Sequence, residues 1–287
     1  MTASRPPLVV PEAAALVLSS DELHLYWLTD LHLVDAVTDQ PDAEGAIRGN
    51  RHYYAAKQKL RKAVDTIQKE QPDVVICTGD ITDHKQSLAS FLEDWERITV
   101  PKEVVIGNHD LDNGYVSLVE QLGYAERAVI ARSVFNRSVA LQKGKVRVRL
   151  LLLDTNIGVD GQHLVETSEG ALQDDAIAWL EHEMSTCPES LVFLFSHHGM
   201  AGPAHYFNRQ DVARYNAMIQ RIALARPDFQ LVHCAGHHHV HPHAEIRELT
   251  RYETFVNGVA MISEAQSAIH VVSIASDHTW TLSYRKV

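Results

Sequence analysis

Short apolar segments alternate with segments of helical periodicity along the first half of the chain, and this alternation constrains the fold more than any other feature. The apolar segments LHLYWLTDLH, PDVVICTGD and KEVVIGNHD are each followed by a helical pattern. In the helix predicted over 53–71, Leu60, Val64 and Ile67 form one apolar stripe. Strands that alternate with helices are typical of layered α/β folds.

The second half of the chain is richer in predicted strands. SVFNRSVALQ and KVRVRLLLLD are joined by Lys143–Gly144, which predicts a hairpin. Helices are predicted over 171–184 and 209–224, next to the buried strands SLVFLFSHH and FQLVHCAGHHH. Short strands follow from about 244 to the end of the chain. We therefore expect two packed sheets with helices outside them.

Five of the predicted strands end in clusters of Asp, Asn or His: DLH, GDITD, GNHD, SHH and GHHH. Open α/β sheets bind ligands at the carboxyl ends of their strands, so we expect the clusters to meet. Residues two apart in an extended strand point the same way, which would let Asp30 and His32 face one ion, and likewise His237 and His239. Each motif alone can occur by chance, but five in the same structural context point to one site.

Together the clusters supply carboxylate, amide and imidazole groups. Such a mixture suits Mn, Fe, Co, Ni or Zn rather than Ca or Mg. Seven ligands are too many for one metal, whereas one carboxylate shared by two ions would give each ion four protein groups. The sequence therefore favours two ions. The candidate ligands are Asp30, His32, Asp80, Asn108, His197, His237 and His239.

In this order the clusters resemble the pattern of the calcineurin-like metallophosphoesterases, D-x-H, G-D-x-x-D, G-N-H-D/E, H and G-H-x-H. The resemblance runs from about residue 24 to 245. The segment TSEGALQDDAIAWLEHEM is also similar to the Q-x-x-W-L helix of the cyclic-nucleotide phosphodiesterase branch, although Asp175 stands near the usual glutamine. The resemblance implies an α/β fold, a four-layer α/β/β/α sandwich with two packed mixed β-sheets.

The resemblance also implies a role for each residue of the site. His109 would contact the substrate phosphate and help to protonate the leaving group. Asp110 would orient His109, and Asp83 would contact metal ligands without binding metal itself. A hydroxide held between the two ions would attack phosphorus in line. One ion would be bound by Asp30, His32, Asp80 and His239, and the other by Asp80, Asn108, His197 and His237, with Asp80 as the bridge.

We expect a phosphoesterase that acts on a small organic phosphate with two divalent transition metal ions (Mn, Fe, Zn or Co). The motif order favours a phosphodiester of the cyclic-nucleotide or glycerophosphodiester type, and a phosphomonoesterase on the same site is the alternative. A nuclease is disfavoured by the net charge of −11 and by the lack of a Lys/Arg cluster. A non-enzymatic metal-binding scaffold is disfavoured because all seven ligand positions and His109 are intact.

Several further residues are candidates for substrate contacts. We expect His198 to face the substrate or to support another ligand, and His238 either to contact the substrate or to lie at the pocket rim, whereas a surface role is the simpler interpretation for the loop residues. The candidates lie in the SHH and GHHH clusters and in the loops 33–53 and 199–208. His241 and His243 lie beyond the strand end, and we expect neither to bind metal. The candidates are His198, His238, Arg48, Arg51 and Tyr206.

The first twenty residues carry only Arg5 as a basic group, and Pro11 and Glu12 interrupt their apolar run, which disfavours a signal peptide. No apolar run reaches the ~18 residues of a membrane span. We therefore expect a cytoplasmic protein with no membrane partner, with a homo-oligomer left open. The predicted organisation is an N-terminal extension over 1–20 and a single domain over 21–287.

Overall fold

Strand β1 (Leu23–Leu28) lies at the centre of a five-stranded sheet. On one side β4 (Val74–Cys77) and β5 (Lys102–Val104) continue the sheet in parallel. On the other side β12 (Ala268–Ile274) is antiparallel to β1, and β13 (Trp280–Lys286) is antiparallel to β12. The computed structural model describes residues 21–35, 47–48, 51–158, 160–164, 167–200, 207–240, 243–262 and 268–287.

A second sheet has six strands in the order β10-β11-β9-β8-β7-β6. Its four inner strands run parallel, and the two edge strands are antiparallel to their neighbours. Both sheets are therefore mixed, as predicted. The strands are β6 (Arg137–Lys143), β7 (Val146–Leu153), β8 (Leu191–Ser196), β9 (Gln230–Val240), β10 (Glu245–Thr250) and β11 (Glu253–Val259).

Five helices connect these strands, and a small hairpin of β2 (Ile47–Arg48) and β3 (Arg51–His52) leads into the first of them. None of the helices in the described ranges has the length and apolarity needed to cross a membrane. The helices are α1 (Tyr53–Glu70), α2 (Leu88–Trp95), α3 (Asn108–Gln121), α4 (Asp174–Thr186) and α5 (Arg209–Ala225).

The apolar side chains of the strands alternate between two faces, and this alternation builds the four layers. Tyr26 and Leu28 of β1 pack with α1 and α2 on the outside of the first sheet. Leu25 and Trp27 point the other way and pack against Phe195 of the second sheet. The opposite face of the second sheet is covered by α4 and α5. The predicted α/β/β/α sandwich with two packed mixed sheets is confirmed.

Several element boundaries agree with the sequence and two do not. The predicted hairpin between β6 and β7 is present, with Gly144 at φ +55°. Helix α3 begins earlier than the pattern YVSLVEQLGY indicates, at Asn108, because the Asp110 carboxylate accepts the N–H of Gly107 and caps the first turn. Strand β1 ends at Leu28, so the DLH cluster lies beyond the sheet rather than within it.

Candidate metal centre

Residues of the Asp and His clusters at the ends of the strands have left-handed backbone conformation. For a non-glycine residue this conformation costs ~1–2 kcal/mol, because the Cβ crowds the following carbonyl. Backbone hydrogen bonds hold the first of these turns, since the N–H groups of Asp30 and His32 donate to the carbonyls of Gly79 (3.1 Å) and Asp80 (2.8 Å). The residues and their φ values are Asp30 (54°), His32 (44°), Asp80 (50°), His237 (70°) and His239 (47°).

The expectation that ligand pairs share a direction because their strands stay extended is therefore wrong. Strand β9 pairs with β11 up to Ala235 and again at Val240, and the residues between them bulge out of the ladder. Within this bulge His237 and His239 reach different partners. Nδ1 of His237 lies 3.2 Å from Nε2 of His197, whereas Nε2 of His239 lies 2.8 Å from Nε2 of His32.

A first set of donor atoms comes from Asp30, His32, Asp80 and His239, all within 4.8 Å of one another. Nε2 of His32 lies 3.4 Å from Oδ2 of Asp80, and Nε2 of His239 lies 3.3 Å from Oδ1 of Asp30. The side chains of Asp30 and His32 are fully buried, and that of His239 is 9% exposed. The structure thus brings together the four residues predicted for one ion.

A second set of donor atoms comes from Asp80, Asn108, His197 and His237. Nε2 of His197 lies 3.2 Å from Oδ2 of Asp80 and 3.2 Å from Oδ1 of Asn108. The Oδ2 atom of Asp80 therefore faces a histidine of each set, at 3.4 Å from His32 and 3.2 Å from His197. Asp80 lies between the two groups, at the position predicted for the bridge.

The orientation of two imidazoles shows that the donor sets suit cations. Nδ1 of His32 lies 2.7 Å from the Asp83 carboxylate, and Nδ1 of His197 lies 2.8 Å from the carbonyl oxygen of Thr78. Both Nδ1 atoms are thereby held as donors, and both Nε2 lone pairs are directed at Asp80. A lone pair facing a carboxylate oxygen is favourable only with a proton or a metal ion between them.

The spacing of the donor atoms also fits a metal ion. Bonds of ~2.1 Å to one ion separate adjacent ligand atoms by ~3.0–3.4 Å, close to the 3.2–3.4 Å found around Asp80. Two glycines leave room for the carboxylates. A Cβ at Gly107 would lie 2.2 Å from Oδ1 of Asp80, and one at Gly236 would lie 2.6 Å from Oδ2 of Asp30. The residues present fit two divalent transition metal ions.

The electrostatics of the centre match its composition. Burial acts to raise the pKa of Asp30, but its hydrogen bond to His239 and the charges of His239 and His197 together outweigh burial and hold the pKa below its ordinary value. For Asp80 burial is likewise outweighed, by the charges of His197 and His32, and its pKa is also lowered. Burial lowers the pKa of His237 to about 3. Burial lowers the pKa of His197, but the charges of Asp80 and Asp30 and its hydrogen bonds together raise it to about 9. A metal ion would therefore displace a proton from His197, whereas His237 already offers the lone pair that binds metals.

His109 lies in the first turn of α3, beside the donor sets. Its Nδ1 lies 2.7 Å from Oδ1 of Asp83, and the same oxygen lies 2.7 Å from Nδ1 of His32. The hydroxyl of Tyr53 donates to the other oxygen of Asp83 at 2.5 Å. Burial lowers the pKa of His109, but the hydrogen bond to Asp83 and the charge of Asp80 raise it above its ordinary value. Asp83 thus joins a candidate ligand to the candidate acid.

The role predicted for Asp110 needs correction. Its carboxylate accepts hydrogen bonds from the backbone N–H groups of Ile81, Thr82 and Gly107, and so ties α3 to the turn after β4. The carboxylate that lies against His109 is that of Asp83. Burial, helped by the charge of Asp80, raises the pKa of Asp110 to about 7. Asp110 is next to His109 in sequence, but the helical turn directs its side chain into the core.

His198 is fully buried beside the second donor set, and its ring centroid lies 4.5 Å from that of His237. Its Nδ1 lies 2.8 Å from the hydroxyl of Thr155, and its Nε2 has no hydrogen-bond partner among the described residues. Sequence reasoning missed Thr155, and also Thr29, whose hydroxyl donates to Asp30 at 2.8 Å. Their only signal is that each follows a strand and stands next to an acidic residue.

The other predicted substrate contacts differ in their surroundings. The ring of His238 lies 5.7 Å from that of His237, outside both donor sets. Arg51 lies beside His109, with Nη2 3.2 Å from its Nε2. His243 packs against Tyr284, with ring centroids 5.7 Å apart. The side chain of Arg48, and all of Tyr206 and His241, lie outside the described residues.

The sequence of this chain is similar to those of known proteins. A model of the calcineurin-like phosphoesterase family matches residues 23–241. A probable glycerophosphodiester phosphodiesterase, GpdQ, from Arcobacter nitrofigilis is 31% identical over 132 residues. The aligned part covers 45% of this chain and 43% of that relative, so less than half of the relative is matched.

Solved structures share the fold at low sequence identity. A dimetal phosphatase from Danio rerio matches with a TM-score of 0.69 and 16% identity, over 92% of this chain and 96% of that one. A purple acid phosphatase from yellow lupin seeds matches with a TM-score of 0.56 and 12% identity, over 93% of this chain and 52% of that one. At these sequence identities the two matches show a shared architecture and nothing more.

Proposed function

The chain belongs to the calcineurin-like phosphoesterase family, and from this premise we propose that it is a dinuclear metal-dependent phosphodiesterase that hydrolyses a small organic phosphate ester. The observation that carries the proposal is the position of Asp80, whose Oδ2 faces a histidine of each donor set. The preference for a diester is supported by the name of the GpdQ relative. The alternative is a phosphomonoesterase on the same site, since the two donor sets would bind the phosphoryl group of either kind of ester.

In this proposal Asp80 is shared by the two ions. Manganese, iron, zinc and cobalt all suit the mixture of carboxylate, amide and imidazole ligands. When bound, such ions lower the pKa of water and stabilise the charge that develops on phosphorus oxygens. Asp30, His32, Asp80 and His239 would hold one ion, and Asp80, Asn108, His197 and His237 would hold the other.

The residues around the donor sets would bind and orient the ester. Two divalent ions bring four positive charges and Asp30 and Asp80 return two negative ones, so the site attracts a phosphate although the chain has a net charge of −11. Asp83 holds Nδ1 of His109, which leaves Nε2 to face the leaving oxygen and to donate a proton to it. A ring nitrogen of His198 lies within 4.8 Å of ring nitrogens of His197 and His237, and His198 would contact the substrate from that side.

The proposal is tested with metal-free protein reconstituted with manganese. Hydrolysis of bis-p-nitrophenyl phosphate, a diester, is compared with that of p-nitrophenyl phosphate, a monoester, and the metal bound per chain is measured in parallel. We expect two ions per chain and faster turnover of the diester. Turnover of the monoester alone would show that the protein is a phosphomonoesterase rather than a phosphodiesterase. Less than one ion per chain, with no hydrolysis of either ester, would favour a binding scaffold.

Nothing favours nucleic acid as the substrate, because the chain is acidic and its sequence contains no basic cluster. A cytoplasmic location and a homo-oligomeric state remain predictions.

A further inference from the structure

Arg51, at the end of the β2–β3 hairpin, holds its guanidinium beside the candidate acid. Nη2 lies 3.2 Å from Nε2 of His109, and Nη1 lies 3.3 Å from Oδ2 of Asp83. Nη1 also lies 3.4 Å from the hydroxyl of Tyr53, which itself donates to Asp83. These contacts fix a permanent positive charge at the edge of the centre.

The orientation of His109 shows which side of a substrate Arg51 would face. Nδ1 of His109 is held by Asp83 at 2.7 Å, so Nε2 is the ring nitrogen that faces Arg51 and would face the leaving oxygen. Nη2 of Arg51 approaches that same Nε2. An oxygen atom that hydrogen-bonds to Nε2 is therefore also within reach of the guanidinium, which carries five N–H donors in a planar fork.

Both side chains also reach solvent at the edge of the centre. Arg51 is 26% exposed and His109 is 27% exposed. By contrast Asp30 is fully buried and Asp80 is 1% exposed. An ester oxygen at Nε2 of His109 would therefore lie beside Arg51 at an exposed edge of the centre.

We propose that Arg51 binds the leaving oxygen of the phosphate ester and stabilises the negative charge that develops there, an inference that rests on the proposed phosphoesterase function. As a P–O bond to the oxygen of water forms, the ester P–O bond breaks, and the proton that the water loses passes to solvent, from which His109 is reprotonated after the step. The leaving oxygen keeps the electron pair and takes a proton from His109, while Arg51 keeps its own proton.

A pair of substrates that differ only in the leaving group tests the proposal. Methyl phenyl phosphate releases phenolate, the more basic leaving group. Methyl 4-nitrophenyl phosphate releases 4-nitrophenolate, which is less basic because its negative charge is delocalised onto the nitro group. We expect Arg51→Met to lower kcat/KM for the phenyl ester by about 10²-fold, the usual effect of removing one such donor. The loss for the nitrophenyl ester should be several-fold smaller, and Arg51→Lys should recover part of both.

The matched control is Arg61→Met. Arg61 lies on α1 with its side chain 49% exposed, and its Nε lies 3.4 Å from Asp94. This variant should leave both kcat/KM values unchanged. The melting temperature and the manganese content of Arg51→Met should equal those of the parent protein. If Arg51→Met does not fold, Arg51→Lys takes its place, and the unequal loss between the two esters remains the criterion.

Two further measurements separate direct contact from an effect transmitted through His109. In the His109→Ala background, Arg51→Met should still lower kcat/KM unequally for the two esters, because the guanidinium touches the leaving oxygen itself. Equilibrium dialysis of 4-nitrophenolate against the manganese-loaded proteins needs no turnover, and Arg51→Met should weaken this binding several-fold.

Several results would overturn the role of Arg51. Equal losses for the two esters would place it on the phosphoryl group, and unchanged kinetics would make it structural. No further loss in the His109→Ala background would reduce it to a positioning residue. Failure of the parent protein to hydrolyse either ester would instead remove the proposed function, and the role of Arg51 with it.

Discussion

Asp83 shows how one carboxylate can serve two histidines with different tasks. One of its oxygens lies 2.7 Å from Nδ1 of both His32 and His109. The first contact directs Nε2 of His32 at Asp80, and the second leaves Nε2 of His109 for the substrate. Changes at Asp83 should therefore affect metal affinity and proton transfer together, whereas changes at His109 should affect proton transfer alone.

His109→Ala should lower turnover of the diester by ~10²-fold or more, since the help of one general acid is worth about that much. Both metal ions should stay bound, because the His109 side chain belongs to neither donor set. Steady-state kinetics and metal analysis of the same preparation check this. His182→Ala, at an exposed position of α4, is the control. Full activity of His109→Ala would remove His109 from the mechanism.

Asp80→Ala should lose both metal ions, because Oδ2 of Asp80 faces both donor sets. The measurement is metal per chain after reconstitution with manganese and desalting. Asp65→Ala, whose side chain is 63% exposed on α1, should bind as much metal as the parent protein. A variant at Asp80 that retained two ions would show that the bridge is elsewhere.

Among the elements, β11 begins with a buried carboxyl group that the site does not use. The Glu253 side chain is buried, and the hydroxyl of Tyr215 on α5 donates to it at 3.2 Å. Burial raises the pKa of Glu253 to about 7. In the unfolded chain a glutamate titrates near ~4.3. Stability from the protonated form is therefore fully present below that value and is lost as the pH rises through about 7.

Glu253→Gln cannot ionise and should escape this loss. The free energy of unfolding of the variant minus that of the parent protein should be larger at pH 8 than at pH 5. The difference between the two pH values should be on the order of 2 kcal/mol, or roughly 5 °C in melting temperature. Thermal unfolding at the two pH values measures the difference. Glu245→Gln, on the exposed edge strand β10, should show no such dependence. A pH-independent effect of Glu253→Gln would mean that Glu253 titrates normally in the folded protein.

The elements were largely predictable, and the strand ends were not. Apolar periodicity located α1 and both strands of the hairpin around Gly144 because these elements are set by burial and by one turn. The same logic failed at Asp110, where the start of α3 turns the side chain away from His109. It also failed at His237 and His239, because the bulge in β9 depends on how β9 pairs with β11, which residue periodicity within β9 does not reveal.

At the scale of the whole molecule, the donor sets join the two sheets. Asp30, His32 and Asp80 follow strands of the first sheet, and His197, His237 and His239 belong to the second. Each set contains residues from both. The motifs identified the seven candidate ligands from sequence, but not which sheet supplies each one. The predicted division into an extension over 1–20 and a domain over 21–287 stays a prediction, and 1–20 lie outside the described residues.

Because each ion would be held by both sheets, metal should stabilise the fold as a whole. A metal present at 100 times its dissociation constant adds about 2.7 kcal/mol to the free energy of unfolding. Manganese added to the metal-free protein should therefore raise the melting temperature by several degrees, and a chelator should reverse the gain. Asp80→Ala should not respond. An equal melting temperature with and without metal would show that the sheets do not depend on the centre.

The left-handed turns at the strand ends have a consequence for engineering the metal preference of this chain. Asp, Asn and His enter that backbone region more readily than other side chains apart from glycine. His237 at φ 70° and Asp30 at φ 54° could therefore exchange among those three residues with little change in shape. A cysteine introduced to favour softer metals would have to overcome the backbone penalty first. The conformation of the main chain thus restricts which metals the site can be redesigned to bind.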